Sequence, residues 1–176
     1  MKYFIGNWKM FGIPGSIKIL DRINNYVKKD KARSKNYKVI ISPPYTLLEN
    51  FAKSFKNKKI SISAQNCFHK NNYGSHTGFV SPYMIKKLGV KHVIIGHSEN
   101  REAGENNHIL KEKVLASVKN NLNIIFCIGE NKYEKREKLT LNVLKNQIRK
   151  SLNKKYDFKK ILIAYEPIWS IGSGKL

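Results

Sequence analysis

Six short apolar runs recur along the chain, at residues 3–6, 39–41, 60–64, 92–96, 124–128 and 161–165, and each gives way to a polar group within a few residues. Runs of this length, bounded by turn residues, read as strands buried on both faces. Between them apolar residues return at helical spacing. Ile17, Leu20, Ile23 and Val27 form one such face after Ser16, which is placed to cap a helix. Leu47, Leu48, Phe51 and Phe55 form the next. Ser81-Pro82 reads as a helix start and Gly89 as its stop, with Met84, Ile85 and Leu88 between. Leu110, Val114 and Val118 follow, then Leu141, Leu144, Ile148 and Leu152 as a buried face, with Glu134 and Lys138 four apart as a helical charge pair. No linker or composition break interrupts the pattern, so residues 1–176 read as one domain. Regular strand–helix alternation specifies an α/β fold with a parallel sheet.

Right-handed crossovers place every strand's C-terminal end on the same side. There the chain puts Asn7 and Lys9, Ser42, Gln65, His97, Glu130 and Glu166. A barrel gathers all its strand ends into one site, whereas an open sheet uses mainly its switch point. Six polar ends therefore favour a barrel. Closure takes eight strands. With six, the expectation is an incomplete barrel, the first six strands and their helices, ending in the loop after strand six.

That last loop carries the densest chemistry. The run 161–165 ends in one carboxylate, Glu166, and Pro167 stops the strand at once. A carboxylate at the tip of a buried strand is expected to be held rigidly and partly dry, with a raised pKa suited to a base. It can equally cap a helix or pair with a lysine. Gly172 and Gly174 let backbone N–H groups approach an anion. Gly174-Lys175 is not the end of a Walker A loop, because Trp169 and Leu176 stand where that motif needs glycine and a hydroxyl residue.

The 176 residues suffice for one core, and 41% hydrophobic content excludes a disordered chain. Apolar runs of about five residues are too short to span a membrane, and the start is too short for a signal-peptide core before Asn7 and Lys9. A cytoplasmic location is the default. Cys67 and Cys127 stand far apart, which fits a reduced compartment and no metal site, with Cys127 a small core residue. The formal charge of +22 could mark a nucleic-acid partner or steer anionic substrates. The lysines lie on every element rather than in one block, so drift in composition explains the charge better than a binding footprint.

The motifs Gly6-Asn7-Trp8-Lys9, Ala64-Gln65-Asn66, Thr77-Gly78, Gly96-His97-Ser98-Glu99, Cys127-Ile128-Gly129-Glu130 and Tyr165-Glu166-Pro167 through Gly174-Lys175 stand in order on successive strand ends and connections. Taken together they resemble the triosephosphate isomerase family, over residues 3–175. The resemblance implies a TIM (β/α)8 barrel and cofactor-free interconversion of dihydroxyacetone phosphate and glyceraldehyde 3-phosphate, a step of glycolysis and gluconeogenesis. Glu166 would move a proton between two substrate carbons through an enediolate. His97 would polarise the carbonyl; the pairing of a glutamate base with a neutral histidine is this family's own established pattern. Lys9 would supply positive charge, Asn7 would orient the substrate, and Glu99 would lie beside Lys9, with Ser98 and Cys127 in support. Gly172 would bind phosphate when the lid, residues 167–175, closes, a motion also established for this family. The loop 67–80, with Gln65, Thr77 and Gly78, would reach a partner subunit of a homodimer.

Departures accompany the likeness. Asn100 and Arg101 stand where the family usually has two arginines, and Phe79 where it has an acidic residue, both near the expected subunit contact. The family's strands seven and eight, which complete its phosphate site, have no counterpart in this sequence, so the chain is expected to be a fragment, inactive by itself. Two other readings stay open: a basic nucleic-acid-binding protein, and a different phosphate-handling barrel enzyme.

Overall fold

Parallel strands cannot be joined by tight turns, and here each crossover is helical. The structure, a computed structural model, describes residues 1–30 and 35–171. Its elements run β1 (Lys2–Asn7), α1 (Ile17–Lys29), β2 (Tyr37–Ser42), α2 (Tyr45–Ser54), β3 (Ile60–Ala64), α3 (Pro82–Lys87) and β4 (His92–Ile95). They continue as α4 (Ser98–Glu102), α5 (Asn107–Lys119), β5 (Asn123–Ile128), α6 (Lys132–Arg136), α7 (Thr140–Ser151) and β6 (Ile161–Tyr165). The six strands form one parallel sheet in sequence order, β1 through β6. This is a TIM barrel carried through six strands.

Alternation along the strands sorts side chains into two layers. Val93 and Ile95, Ile124, Phe126 and Ile128, and Ile161 face outward into the main core beneath the helices, with Leu48, Phe51, Leu110 and Val114. Ile40, Ile94, Ile125 and Cys127 point the other way and meet Leu162 and Ala164 in a smaller inner cluster. On the outer face of β6, Ile163 and Tyr165 are 45% and 49% exposed, as is Phe4 of β1 at 57%.

Several local expectations need correction. Ser16 does not cap α1; its hydroxyl accepts from the Ile13 N–H at 3.1 Å, closing a short 3-10 turn first. Ser81 does cap α3, its Oγ accepting from the Met84 N–H. Glu134 and Lys138 do not share a helix. Lys138 lies beyond α6 in the left-handed region, with φ of 57°. Glu134 instead forms a reciprocal cap with Asn131. Leu141 is 68% exposed while Leu144, Ile148 and Leu152 pack on the core. A helical period fixes the direction of a side chain, but not whether anything lies there to cover it.

Candidate active site

The C-terminal ends of β1, β3, β4 and β6 bring Asn7, Lys9, Gln65, His97, Glu99 and Glu166 to one end of the sheet. A cavity of about 560 Å³ opens there, lined by Asn7, Lys9, Tyr45, Gln65, His97 and Glu99 among others. A slightly larger one, about 590 Å³, lies at the opposite ends of β3 and β4 between α2 and α3. Its lining is rich in lysine and its one carboxylate, Glu49, is paired with Lys53, so the smaller cavity is the better candidate.

Lys9 is held at three points. Its backbone is in the left-handed region, φ of 51°, which for a lysine persists only when neighbours enforce it. The Asn7 Oδ1 accepts the Lys9 N–H at 3.0 Å, and the Gln65 Nε2 donates to the Lys9 carbonyl at 2.8 Å and to the Ser42 carbonyl at 2.9 Å. The ammonium meets Glu99 Oε1 at 2.8 Å. That bond, received first among several influences, holds the Glu99 carboxyl below the usual carboxylate range. Asn7 and Gln65 thus position Lys9. The Gln65 amide points inward to this loop, whereas the residues it was grouped with, Thr77 and Gly78, lie on the exposed stretch 70–79.

His97 caps α4. The Glu99 N–H donates to its Nδ1 at 3.3 Å. An Nδ1 that accepts carries no proton, so its 3.5 Å approach to Glu99 Oε2 is not an ion pair, and in the neutral ring Nε2 is the N–H. That Nε2 faces Glu166 Oε2 across 3.6 Å. The backbone that aims it requires glycine before it. Gly96 has φ of +77°, and a Cβ there would press on the Arg101 guanidinium and the Cys127 carbonyl. Arg101 bridges both strands, donating to Gly96 O at 2.8 Å, Cys127 O at 3.1 Å and Asn107 Oδ1 at 3.1 Å. It is therefore turned into the molecule as a brace between β4 and β5.

The Glu166 carboxylate is 45% exposed. Its backbone is well fixed. The ladder with β5 continues past the strand, with Glu166 N–H donating to Ile128 O at 2.9 Å and Ile168 N–H to Glu130 O at 3.0 Å. Pro167, having no N–H, occupies the place between them. Cys127 packs beneath. Burial first, and then the Glu166 charge, push its thiol up to about 12, so it stays a protonated, inert filler. Burial likewise raises Cys67 to about 11.

The sequence marks Glu130 and Asn66 as strand-end groups, but not their partners. Glu130 is fully buried and accepts from Tyr165 OH at 3.2 Å and Trp169 Nε1 at 3.0 Å. Burial pushes its carboxyl up, but these bonds, with its own backbone and Lys135, outweigh that and leave it below the ordinary value. It ties the first turn after Pro167 to β5. Asn66, Glu105 and Lys113 form a second buried network beside Tyr45, with Lys113 Nζ on Asn66 Oδ1 at 2.8 Å and an ion pair to Glu105. Only an unusually buried lysine, visible once α5 is placed, could have marked it. Of the expected lid, residues 167–171 are described; Gly172, Gly174 and Lys175 lie outside the described residues. Among the described residues no three His, Cys, Asp or Glu side chains gather as a metal site, and no helix is long and apolar enough to cross a membrane.

This geometry has close relatives. A family model described as triosephosphate isomerase matches residues 2–176. Triosephosphate isomerase from Thermodesulfovibrio yellowstonii is 38% identical, over 98% of this chain and 69% of its own length. That from Mycoplasma mobile is 42% identical, over 99% of this chain and 72% of its own. The crystal structure of triosephosphate isomerase from Bartonella henselae superposes with a TM-score of 0.88 at 34% identity, covering 98% of this chain and 70% of that one. The family model, the relatives and the superposed structure agree over nearly the whole chain, and the chain belongs to the triosephosphate isomerase family.

Proposed function

We propose that in the complete barrel enzyme this chain's residues interconvert dihydroxyacetone phosphate and glyceraldehyde 3-phosphate, with Glu166 as base, His97 as electrophile and Lys9 as the source of positive charge. The observation that carries the assignment is the facing pair: a histidine whose Nδ1 is occupied by an amide, presenting Nε2 to a carboxylate 3.6 Å away. A base and a proton donor at that spacing can reach a carbon and the oxygen it bears at the same time. Glu166 takes a proton from the carbon beside the carbonyl, and the His97 Nε2–H supports the oxygen as negative charge develops. The proton is then returned to the neighbouring carbon while His97 moves its own between the two oxygens. No oxidant or reductant enters, because the two sugars are isomers.

The Lys9 ammonium stands near that oxygen site and favours the enediolate. Glu99 keeps it oriented, Asn7 holds the loop beneath it, Ser98 begins the helix that His97 caps, and Cys127 fills the space under the base. Gly172 is assigned to the substrate phosphate on family grounds. Residues 1–176 are read as one barrel unit ending in the lid. The loop 67–80, exposed over residues 70–79 and carrying Thr77 and Gly78, is the proposed contact of a homodimer. A glycolytic role in the cytoplasm, without a nucleic-acid or membrane partner, follows from the substrate class and the dispersed lysines.

The test is Glu166→Ala in the full chain, with isomerisation of glyceraldehyde 3-phosphate followed by a coupled assay. Loss of a general base should lower kcat by roughly 100- to 10,000-fold while the melting temperature holds. A variant that keeps a third of the rate would place the base elsewhere.

A further inference from the structure

We infer that Gln147, on α7, is a positioning residue that sets the place of Glu166 through Gly129. The inference rests on Glu166 being the base. Gly129 follows β5, and its two backbone polar groups are both taken by one side chain. The Gly129 N–H donates to Gln147 Oε1 at 3.0 Å, and Gln147 Nε2 donates to the Gly129 carbonyl at 2.9 Å. A primary amide is the neutral side chain that offers an acceptor and a donor side by side, so it pairs with one residue as a neighbouring strand would. The residues on either side look the other way. Ile128 and Glu130 give their carbonyls to Glu166 and Ile168.

Gly129 is therefore clamped between α7 and the start of the lid. The second contact is steric. A Cβ built on Gly129 would lie 2.0 Å from the Glu166 carbonyl oxygen, so the two backbones touch directly with no side chain between them. With Gln147 on one side and the Glu166 peptide on the other, a shift of Gly129 passes to the base. Without the amide, both Gly129 groups would lose their protein partner, and the tip of β5 would be free to follow water instead.

The consequence is kinetic. A displacement of the base by an ångström costs on the order of 100-fold in rate, far more than the same displacement does to substrate binding through Lys9. The experiment is a double-mutant cycle in the full chain, made of Gln147→Met, Glu166→Ala and the pair, with kcat and KM measured well below each melting temperature. Methionine keeps the length and removes both hydrogen bonds. With Glu166 present, kcat should fall roughly 10- to 100-fold and KM should stay within about threefold. With Glu166 absent, Gln147→Met should change kcat by less than about threefold, since there is no base left to misplace. An equal loss in both backgrounds would make Gln147 merely structural and overturn the inference while sparing the base. A Glu166→Ala variant that keeps its rate would instead overturn the base assignment, and this inference with it.

Gln147→Glu gives a second reading that does not depend on the methionine variant folding. A carboxylate can accept from the Gly129 N–H but faces the Gly129 carbonyl without a proton to give. Protonated, it regains that donor. The ratio of its kcat to wild type should therefore recover as pH falls, through an ionisation absent from the wild-type profile. A flat ratio would count against the clamp.

Discussion

Gly129→Ala is the sharpest test of how the base is held. The added methyl would sit 2.0 Å from the Glu166 carbonyl oxygen and 2.9 Å from its carbon, distances below the 3.0 Å that real Cβ contacts respect. Both atoms are backbone, so no rotamer relieves the clash. Glu166 cannot simply step aside either, because its N–H is tied to Ile128 O at 2.9 Å and Pro167 fixes the next φ. Restoring a 3.0 Å contact requires the two backbones to part by about 1 Å. Forcing that much into a packed junction costs about 1–3 kcal/mol of stability. The catalytic loss should be larger in effect, with kcat down on the order of 100-fold, about 2.7 kcal/mol of transition-state stabilisation. KM should move little, since Lys9 and the loop under it lie on other strands. Steady-state isomerisation, run beside a circular-dichroism melt, separates the two effects. Gly15→Ala is the control, because a Cβ there meets nothing within 4 Å among the described residues. A Gly129→Ala protein that melts cooperatively and keeps kcat within threefold would show that the Glu166 backbone does not depend on the β5 tip.

Two further outcomes are expected. Burial first, then Lys38 and Lys91, lower His92 from 6.5 to about 4, and its Nδ1 has no partner among the described residues. Between those values the unfolded chain binds a proton that the folded chain refuses, so stability should fall as pH drops from 6.5 toward 4, by at most about 3 kcal/mol. Denaturant titrations of wild type and His92→Gln should show that slope flattened in the variant, and equal slopes would remove His92 as its source. The 176-residue polypeptide expressed by itself pairs β1 and β6 on one side only, and Phe4, Ile163 and Tyr165 are exposed there. The +22 charge should keep such molecules apart at low salt, so light scattering should rise as salt is raised from ~0.01 M to ~1 M, across which the screening length shrinks about tenfold; scattering independent of salt would refute this.

What could be read from the sequence was whatever a short window specifies. The runs 60–64 and 161–165 became β3 and β6 without adjustment, because an unbroken apolar run needs no distant partner to be recognised. Asn7, Lys9, Gln65, His97 and Glu166 were placed correctly at one end of the sheet because parallel topology sends every strand end there. The environment of each was not legible. How far the Glu166 carboxylate is covered depends on what packs over the strand tip, and it is 45% exposed. Gln65 donates to the Lys9 carbonyl 56 residues away, Asn66 to Glu105 39 residues away, and Gln147 clamps Gly129 across 18. All of these pairs join one element to another, so no pattern within a single helix or strand announces them. Each pairs a side-chain amide with groups on a distant element, and an amide looks the same in sequence whether it faces water or a backbone. The parts of this site that hold the chemistry in place are thus the parts that only the folded chain shows. The acid, the base and the cation can be found as residues at strand ends, but the amides that aim them have to be found as neighbours.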